Sequence, residues 1–245
     1  MTGQLAGRIA LITGSNRGIG LAIARAFARE GAECILAARN MAALERVAAE
    51  IKASGGKASA VQIDLESAES IRSAVEHVSR AYPRLDIFVA NAAVLGARVA
   101  ITKYPLEVWK QTFQVNVHAN LLLLQGLDPL LRKSDAGRVV ILSAGVARTP
   151  KVGTGSYAVS KAALEAMAGI YALEGAATPI RVNMVNAGAT RTEMRARAVP
   201  DEDPMTLKTP EDIAPLFVEL ASPACTRQGE WVVADEWLKA RKGTK

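Results

Sequence analysis

The feature that most constrains this 245-residue chain is a regular alternation of short apolar runs with longer segments of helical period. Short runs rich in β-branched residues favour strands, whereas apolar residues that recur every three or four positions favour amphipathic helices. Runs such as ILAA and VVIL contain no polar residue, so the strands they form must be covered on both faces. The alternation therefore predicts an α/β fold, a doubly wound parallel sheet of about seven strands in a three-layer α/β/α arrangement.

The predicted elements occupy most of the chain, and their spacing favours a single domain over residues 1–245. We predict strands at residues 8–13, 33–38, 58–63, 86–90, 138–142, 180–185 and 230–234. We predict helices at residues 19–30, 41–54, 67–81, 107–132, 157–174 and 211–221. The polar segment 188–210 interrupts the alternation, and we interpret it as a lid loop at the carboxyl edge of the sheet or, alternatively, as a surface excursion. The basic tail 239–245 is expected to be a frayed terminus.

Composition limits the classes of function. No run reaches the roughly 18 apolar residues of a membrane span, and the amino terminus lacks a secretory signal pattern, so we expect a cytoplasmic protein with no membrane partner. Cys34 lies in an apolar run, where a buried, reduced thiol is expected rather than a disulfide with Cys225 or a metal ligand. The net charge of +6 suggests nucleic acid, but dispersed Lys and Arg and only 4% aromatic residues argue against it. A polyanionic small molecule would suit the same charge.

A glycine-rich segment, TGSNRGIG, follows the first predicted strand. Gly14 would permit a tight turn, Gly18 would let the backbone approach a pyrophosphate, and Gly20 would let the helix pack closely on the strand. The amino terminus of that helix would then face the phosphates of a dinucleotide. A turn without a ligand is the alternative interpretation. The same segment supplies three further candidate cofactor contacts, Asn16, Arg17 and Ile19.

The end of the second predicted strand bears on the choice between NAD and NADP. Enzymes of this layout that prefer NAD place an acidic residue there, which binds the ribose 2′-hydroxyl and repels a 2′-phosphate. This chain has Ala38 at that place, followed by Arg39, and Arg17 lies in the glycine turn. Two guanidinium groups could bind a 2′-phosphate, so NADP(H) is favoured over NAD(H). Two exposed arginines without a ligand are the alternative.

Two further strand ends carry candidate cofactor contacts. Asp64 ends the third strand, where its carboxylate could accept from an adenine amino group while Leu65 covers the ring. Equally, Asp64 could cap the following helix. Asn91 and Ala92 follow the fourth strand, where a small residue lets the backbone approach a ribose and an amide offers a donor and an acceptor. Only their position supports a function.

The most specific constellation is Ser143, at the end of the fifth strand, with Tyr157 and Lys161 in the run GSYAVSKAAL. Tyr157 and Lys161 are four residues apart on one helix face, so the ammonium could lower the pKa of the phenol and let it act as general acid or base. Ser143 would hydrogen-bond the same substrate oxygen, and Lys161 would also bind the nicotinamide ribose. Asn116, an amide on an apolar helix, is the candidate to hold a proton-relay water. Each has an ordinary structural explanation alone, but together they indicate catalysis.

With these residues identified, the sequence resembles the short-chain dehydrogenase/reductase family over roughly residues 5–192. The likeness is carried by TGSNRGIG at 13–20, Asp64, Asn91, Asn116, Ser143 and the Tyr157-xxx-Lys161 pair. It implies an Asn-Ser-Tyr-Lys catalytic set on one Rossmann-like domain, usually with a seven-stranded sheet. It also implies a dimeric or tetrameric assembly, so we expect a homodimer or homotetramer.

Three departures from the family pattern bear on the loops and the carboxyl terminus. ANAA at 90–93 replaces a common Asn-Asn-Ala-Gly run and keeps the second asparagine. After the sixth strand, Ala187 and Gly188 stand where Pro-Gly is common, ahead of Thr190 and Thr192. The resemblance places Gly188 and both threonines beside the cofactor. The usual carboxyl-terminal Gly-Gln and Asp-Gly-Gly signals are replaced by RQGEWVVADEWLKARKGTK, which bears on the choice between dimer and tetramer.

Other polar side chains carry weaker signals. Arg191, Arg195 and Arg197 could select an anionic or acyl-carrier substrate, although solvated arginines are the simpler interpretation. His77 and His118 have no carboxylate or cysteine at ligand spacing, so no metal site is predicted.

The sequence thus predicts an NADP-dependent oxidoreductase that transfers hydride between nicotinamide and a carbonyl or alcohol carbon of a small organic substrate, with Tyr157 as general acid or base. The same residues could serve ketoacyl reduction, steroid or sugar alcohol oxidation, or aldehyde reduction. The alternative is a non-catalytic NADP-sensing protein on the same fold, against which the intact Ser143, Tyr157 and Lys161 argue.

Overall fold

The computed structural model describes residues 3–242, and its centre is a parallel sheet. In chain order its strands are β1 Ile9–Thr13, β2 Glu33–Ala38, β3 Lys57–Gln62, β4 Ile87–Ala90, β5 Arg138–Ser143, β6 Arg181–Asn186 and β7 Trp231–Val233. Across the sheet the seven strands are ordered β3-β2-β1-β4-β5-β6-β7, and every neighbouring pair is parallel. The prediction of a doubly wound, Rossmann-like parallel sheet is confirmed, and each predicted strand lies within a few residues of an observed one.

Helices cover both faces of this sheet. In chain order they are α1 Gly18–Arg29, α2 Met41–Ala53, α3 Ala68–Ala81, α4 Leu106–Phe113, α5 Ala119–Leu131, α6 Gly155–Glu174, α7 Glu193–Ala198, α8 Pro210–Ala221 and α9 Ala234–Lys242. No helix within residues 3–242 combines the length and the apolar character needed to cross a bilayer.

The sheet separates two apolar cores, and β1 contributes to both. Ala10 and Ile12 face the core formed with α1, α2 and α8, whereas Ile9 and Leu11 face the core formed with α3, α5 and α6. Successive side chains of a strand point to opposite faces, so an unbroken apolar run is what a strand between two helical layers requires.

Three predictions of secondary structure need correction. The predicted helix 107–132 is divided, because a π-helical turn at Gln114–His118 separates α4 from α5. The predicted loop 188–210 contains α7, whose first turn is capped by the Thr192 hydroxyl. The prediction of a frayed tail is wrong for residues 239–242, which end α9, where the Arg241 guanidinium stacks 4.7 Å from the centre of the Trp237 ring. Residues 243–245 lie outside the described part of the chain.

The strand order defines where a ligand can bind. The chain winds outward from β1 to β3, then returns across β1 to form β4 on its other side. The loops after β1 and β4 therefore leave in opposite directions, and a crevice opens at their carboxyl ends.

Candidate active site

The glycine turn between β1 and α1 lies at this crevice. Gly14 and Gly18 have positive φ values of 67° and 55°, a backbone conformation that favours glycine. A Cβ added to Gly20 would lie only 2.4 Å from the Gly14 carbonyl oxygen, so α1 can begin this close to the turn only with glycine there. No side chain caps α1 and its first turn holds no acidic residue, which leaves its positive end suited to an anion.

The side chain of Asn91 holds the glycine turn in place. Its Nδ2 donates to the carbonyl oxygens of Thr13 at 2.8 Å and Gly14 at 3.3 Å. The Thr13 hydroxyl in turn accepts from the backbone amides of Asn91 and Ala92. The Asn91 amide, which we interpreted as a ribose contact, is thus committed as a donor to the turn, and Ala92 keeps the small side chain predicted beside it.

The two arginines of the predicted 2′-phosphate site are both exposed and both contact glutamates. The Arg17 guanidinium bonds Glu193 on α7, while Arg39 Nη1 lies 3.4 Å from Glu66 Oε1. The side chain of Arg39 is 67% exposed, so it is accessible to a ligand. Sequence reasoning did not anticipate either glutamate, since both come from distant segments of the chain.

Asp64 and Leu65 differ from the sequence-based interpretations. Ser67, not Asp64, caps α3, so the alternative that made Asp64 the helix cap is wrong. Asp64 instead accepts from the Glu66 amide at 3.0 Å in a local turn. The Leu65 side chain is buried in the core and does not lie open to a ring.

The structure brings Ser143, Tyr157 and Lys161 to one place. Ser143 is the last residue of β5, and the first turns of α6 pack on that strand end. Lys161 is fully buried, with Nζ donating to the Leu142 carbonyl oxygen at 2.6 Å and lying 5.9 Å from the centre of the Tyr157 ring. Within residues 3–242, the Tyr157 hydroxyl has no hydrogen-bond partner, so it is free to bond a substrate oxygen.

Burial dominates the electrostatics of this pair. It raises the pKa of Tyr157 to about 12, and it lowers the pKa of Lys161 to about 8 against an opposing attraction from Glu165. In this conformation the net shift is therefore opposite in direction to the lowering by Lys161 that the sequence predicts. The Lys161 ammonium is directed at a main-chain carbonyl, and the desolvation of the phenol outweighs any gain from the charge.

Asn116 lies in the π-helical turn and is fully buried. Its Oδ1 accepts from the Val94 amide at 2.9 Å, while Nδ2 donates to the Val94 carbonyl and to Ser160 Oγ, each at 3.0 Å. Both amide hydrogens are used, so a relay water could bond this side chain only through the second lone pair of Oδ1. Asn116 also ties the loop after β4 to α6.

Sequence reasoning missed Glu165, which lies four residues beyond Lys161 on α6. Its carboxylate accepts from Ser143 Oγ at 2.5 Å, from Trp231 Nε1 at 2.8 Å and from Arg148 Nε at 2.8 Å. The signal available in the sequence was spacing, because positions 157, 161 and 165 recur every four residues on one helix face.

The segment after β6 is anchored at its base. Gly188 has a φ of 64°, and a Cβ there would lie 2.4 Å from Asp235 Oδ2. Thr190 is buried, with Oγ1 donating to the Ala187 carbonyl at 3.1 Å. Thr192 caps α7, and its methyl would lie 3.6 Å from a Cβ added to Gly18. The segment thus crosses beside the glycine turn, with both threonine hydroxyls bonded inside it.

The arginines of this segment bond within it. Arg195 makes two 2.5 Å hydrogen bonds to the carboxylate of Glu202. Arg191 donates to the Pro204 carbonyl oxygen at 2.8 Å, and Arg197 lies 3.7 Å from Glu193. These contacts favour a structural role over selection of an anionic substrate.

Comparison with known proteins agrees with this geometry. Residues 8–203 match the family model of the short chain dehydrogenases. The chain is 43% identical over 216 residues to the uncharacterised oxidoreductase YciK of Escherichia coli K12, with 87% of this chain and 85% of that protein covered. A short-chain dehydrogenase from Shigella flexneri, solved in complex with NADP, has 39% identity and a TM-score of 0.91, with 96% of this chain and 100% of that chain covered. One from Escherichia coli in complex with NADPH has the same identity and TM-score, with 96% and 99% covered.

Proposed function

The chain belongs to the short-chain dehydrogenase family, and we propose that it is an NADP(H)-dependent enzyme that interconverts a carbonyl compound and its alcohol. The observation that carries this proposal is the packing of α6 on the end of β5, which brings Tyr157 and Lys161 to Ser143. A free phenol, a buried ammonium and a hydroxyl at the carboxyl edge of the sheet are the groups that such a reaction uses.

The glycine turn fits the pyrophosphate of a dinucleotide. Gly14 and Gly18 shape the turn, Gly20 admits the helix, and the uncapped start of α1 offers backbone N–H groups to an anion. Arg17 and Arg39 lie exposed near it and suit a 2′-phosphate, and two relatives of the same fold bind NADP or NADPH. The bound cofactor would supply the hydride, and we favour NADP(H) over NAD(H).

The protein's own residues would donate the proton and bind the reacting oxygen. Since burial raises the pKa of Tyr157 to about 12, the phenol carries its proton at neutral pH and can donate it to an oxygen that gains charge during reduction. Ser143 would bond the same oxygen once its hydroxyl turns from Glu165. Lys161, whose Nζ donates to the Leu142 carbonyl, would bind a ribose hydroxyl of the cofactor. Asn116 acts as a positioning residue for the loop after β4.

We also propose that the protein assembles as a homodimer or homotetramer. Apolar side chains are exposed on the outer surface of α5 and α6: Leu121 at 44%, Val159 at 44%, Ile170 at 57% and Leu173 at 79%. A surface of this kind on adjacent helices favours burial against a second copy. Light scattering should give a mass of two or four times 25.9 kDa, and a monomer would reject the proposal.

A reducing, cytoplasmic location and a single catalytic domain complete the proposal. Cys34 and Cys225 are free thiols, and burial raises the pKa of Cys34 to about 12, so that thiol stays protonated and unreactive. One sheet with its two helical layers holds every residue assigned to the reaction.

The test is a titration of the purified protein with NADPH and with NADH, followed by nicotinamide fluorescence, and then a panel of ketones and aldehydes with NADPH. Tighter binding of NADPH together with its oxidation by one of the carbonyls is the expected result. Binding without turnover would favour the non-catalytic sensor, and no binding of either nucleotide would reject both.

A further inference from the structure

The carboxylate of Glu165 joins Ser143 to two residues from other parts of the chain. Trp231 and Ser143 both donate to Oε1, and Arg148 donates to Oε2. The Arg148 guanidinium also stacks on the Trp231 ring, 4.2 Å from its centre, so the two partners of Glu165 also contact each other. The Glu165 side chain is only 10% exposed, which makes this a constrained contact and not a solvated surface pair.

This contact determines which way the Ser143 hydroxyl points. Oε1 also accepts from Trp231 and Oε2 accepts from Arg148, so the carboxylate is the acceptor in the 2.5 Å contact and the hydrogen belongs to Ser143. A serine hydroxyl has one hydrogen and two lone pairs. While its hydrogen lies on Glu165, Ser143 can offer only lone pairs to the cleft.

We propose that Glu165 sets Ser143 as a hydrogen-bond acceptor, and that the site therefore holds the alcohol of its substrate pair more tightly than the carbonyl compound. This inference rests on the proposed function. An alcohol oxygen can accept from the Tyr157 hydroxyl, and the alcohol hydrogen can be donated to Ser143 Oγ. Ser143 in turn donates to Glu165, so every hydroxyl in this series donates to the next group. A carbonyl oxygen has no hydrogen to donate, and it can bond Ser143 only if that hydroxyl leaves Glu165.

The preference can be measured without turnover by using mismatched cofactors. The probes are the carbonyl compound that the panel identifies, titrated with NADP+ bound, and its alcohol, titrated with NADPH bound, both by calorimetry. Glu165→Ala frees the Ser143 hydrogen, so the ratio of the two dissociation constants should move about tenfold toward the carbonyl compound. Glu165→Gln keeps an acceptor oxygen and should restore most of the wild-type ratio. A ratio that Glu165→Ala leaves unchanged would overturn the proposal.

The chain offers a matched control in its two similar tryptophans. Trp237 Nε1 donates to Glu219 at 2.8 Å and its ring lies beneath Arg241, so an indole bonded to a glutamate and covered by an arginine occurs a second time, away from Ser143. The arginine that pairs with Glu219 is Arg227. Trp231→Phe should loosen Glu165 and shift the ratio in the same direction as Glu165→Ala by a smaller factor. Trp237→Phe should not shift it, and equal effects of the two substitutions would contradict the proposal.

A spectroscopic readout separates this inference from the proposed function. The indole N–H signal of Trp231, assigned by its loss in Trp231→Phe, reports the hydrogen bond to the Glu165 oxygen that Ser143 shares. Ser143→Ala should shift that signal and leave the Trp237 signal in place. An unmoved Trp231 signal would overturn the role of Glu165 even in an active enzyme. Failure of every carbonyl compound would instead reject the proposed reaction while this signal still decides whether Glu165 holds Ser143.

Discussion

The two ends of the cleft are built from different parts of the polypeptide. The glycine turn is shaped by the main chain and by residues that lack a side chain. Gly14 and Gly18 take positive φ, and Gly20 leaves room for the Gly14 carbonyl oxygen. At the end of β5, buried polar side chains meet, and Lys161 and Ser143 each hydrogen-bond a group that is itself buried or constrained.

This difference predicts how substitutions at each end of the cleft act. An added methyl group at the glycine turn acts sterically, through backbone atoms that cannot move aside cheaply. A change at the β5 end acts through hydrogen bonds and charge, so a variant of nearly the same shape can lose the chemistry and keep the fold.

The largest effect is expected from Tyr157→Phe. It removes the proton donor and little volume, so kcat should fall by about 10²–10⁴-fold while the dissociation constant for NADPH stays the same. Steady-state kinetics and a fluorescence titration measure the two quantities. The control is Tyr171→Phe on the same helix, which removes a hydroxyl bonded to Asp128 and should leave kcat unchanged. A large loss of NADPH affinity in Tyr157→Phe would contradict the assignment.

Gly20→Ala tests the steric end. The new Cβ would lie 2.4 Å from the Gly14 carbonyl oxygen, so the turn must shift, at a cost of about 1–3 kcal/mol in the free energy of unfolding. NADPH binding should weaken as well. Urea denaturation and the fluorescence titration check both effects. Gly169→Ala on α6 places its Cβ in open space and should stabilise by up to about 1 kcal/mol. Equal stability changes in the two variants would refute the steric argument.

Arg39→Asp tests whether charge acts at the cofactor end too. A carboxylate there would repel a 2′-phosphate and accept from a 2′-hydroxyl, so the ratio of NADPH to NADH affinity should fall about tenfold or more. The control is Arg80→Asp, which should leave the ratio unchanged. Arg80 pairs with Glu76 in the last turn of α3, at the amino-terminal edge of the sheet and away from the cleft. A preference that Arg39→Asp leaves unaltered would reject the 2′-phosphate site.

The smallest effect concerns the buried ammonium. Burial lowers the pKa of Lys161 to about 8, whereas an unfolded chain keeps a lysine near about 10.4. Between these values the unfolded state binds more protons, so the contribution of Lys161 to the free energy of unfolding increases as pH rises. Relative to Lys161→Met, the wild type should gain about 1 kcal/mol between pH 7 and pH 9 in urea denaturation. Parallel pH curves for the two proteins would contradict the burial of this charge.

The local features of this protein could be predicted because their causes lie in neighbouring residues. Apolar periodicity located the strands, and the spacing of Tyr157 and Lys161 placed both on one face of a helix. The contacts of Glu165 could not be predicted, since Trp231 is 66 residues away and Arg148 is 17 residues away along the chain. The same holds for Asn116, whose amide is bonded by Val94 and Ser160.

By itself, the sequence determined the parallel sheet, the glycine turn and the helix that carries Tyr157 and Lys161, because periodicity, glycine φ preferences and helix geometry act over a few residues. Only the tertiary structure decided the partner of each polar group and the direction of the pKa shift of Tyr157. Both depend on how deeply a group is buried and which distant donor or acceptor is packed against it, and those are properties of the assembled layers.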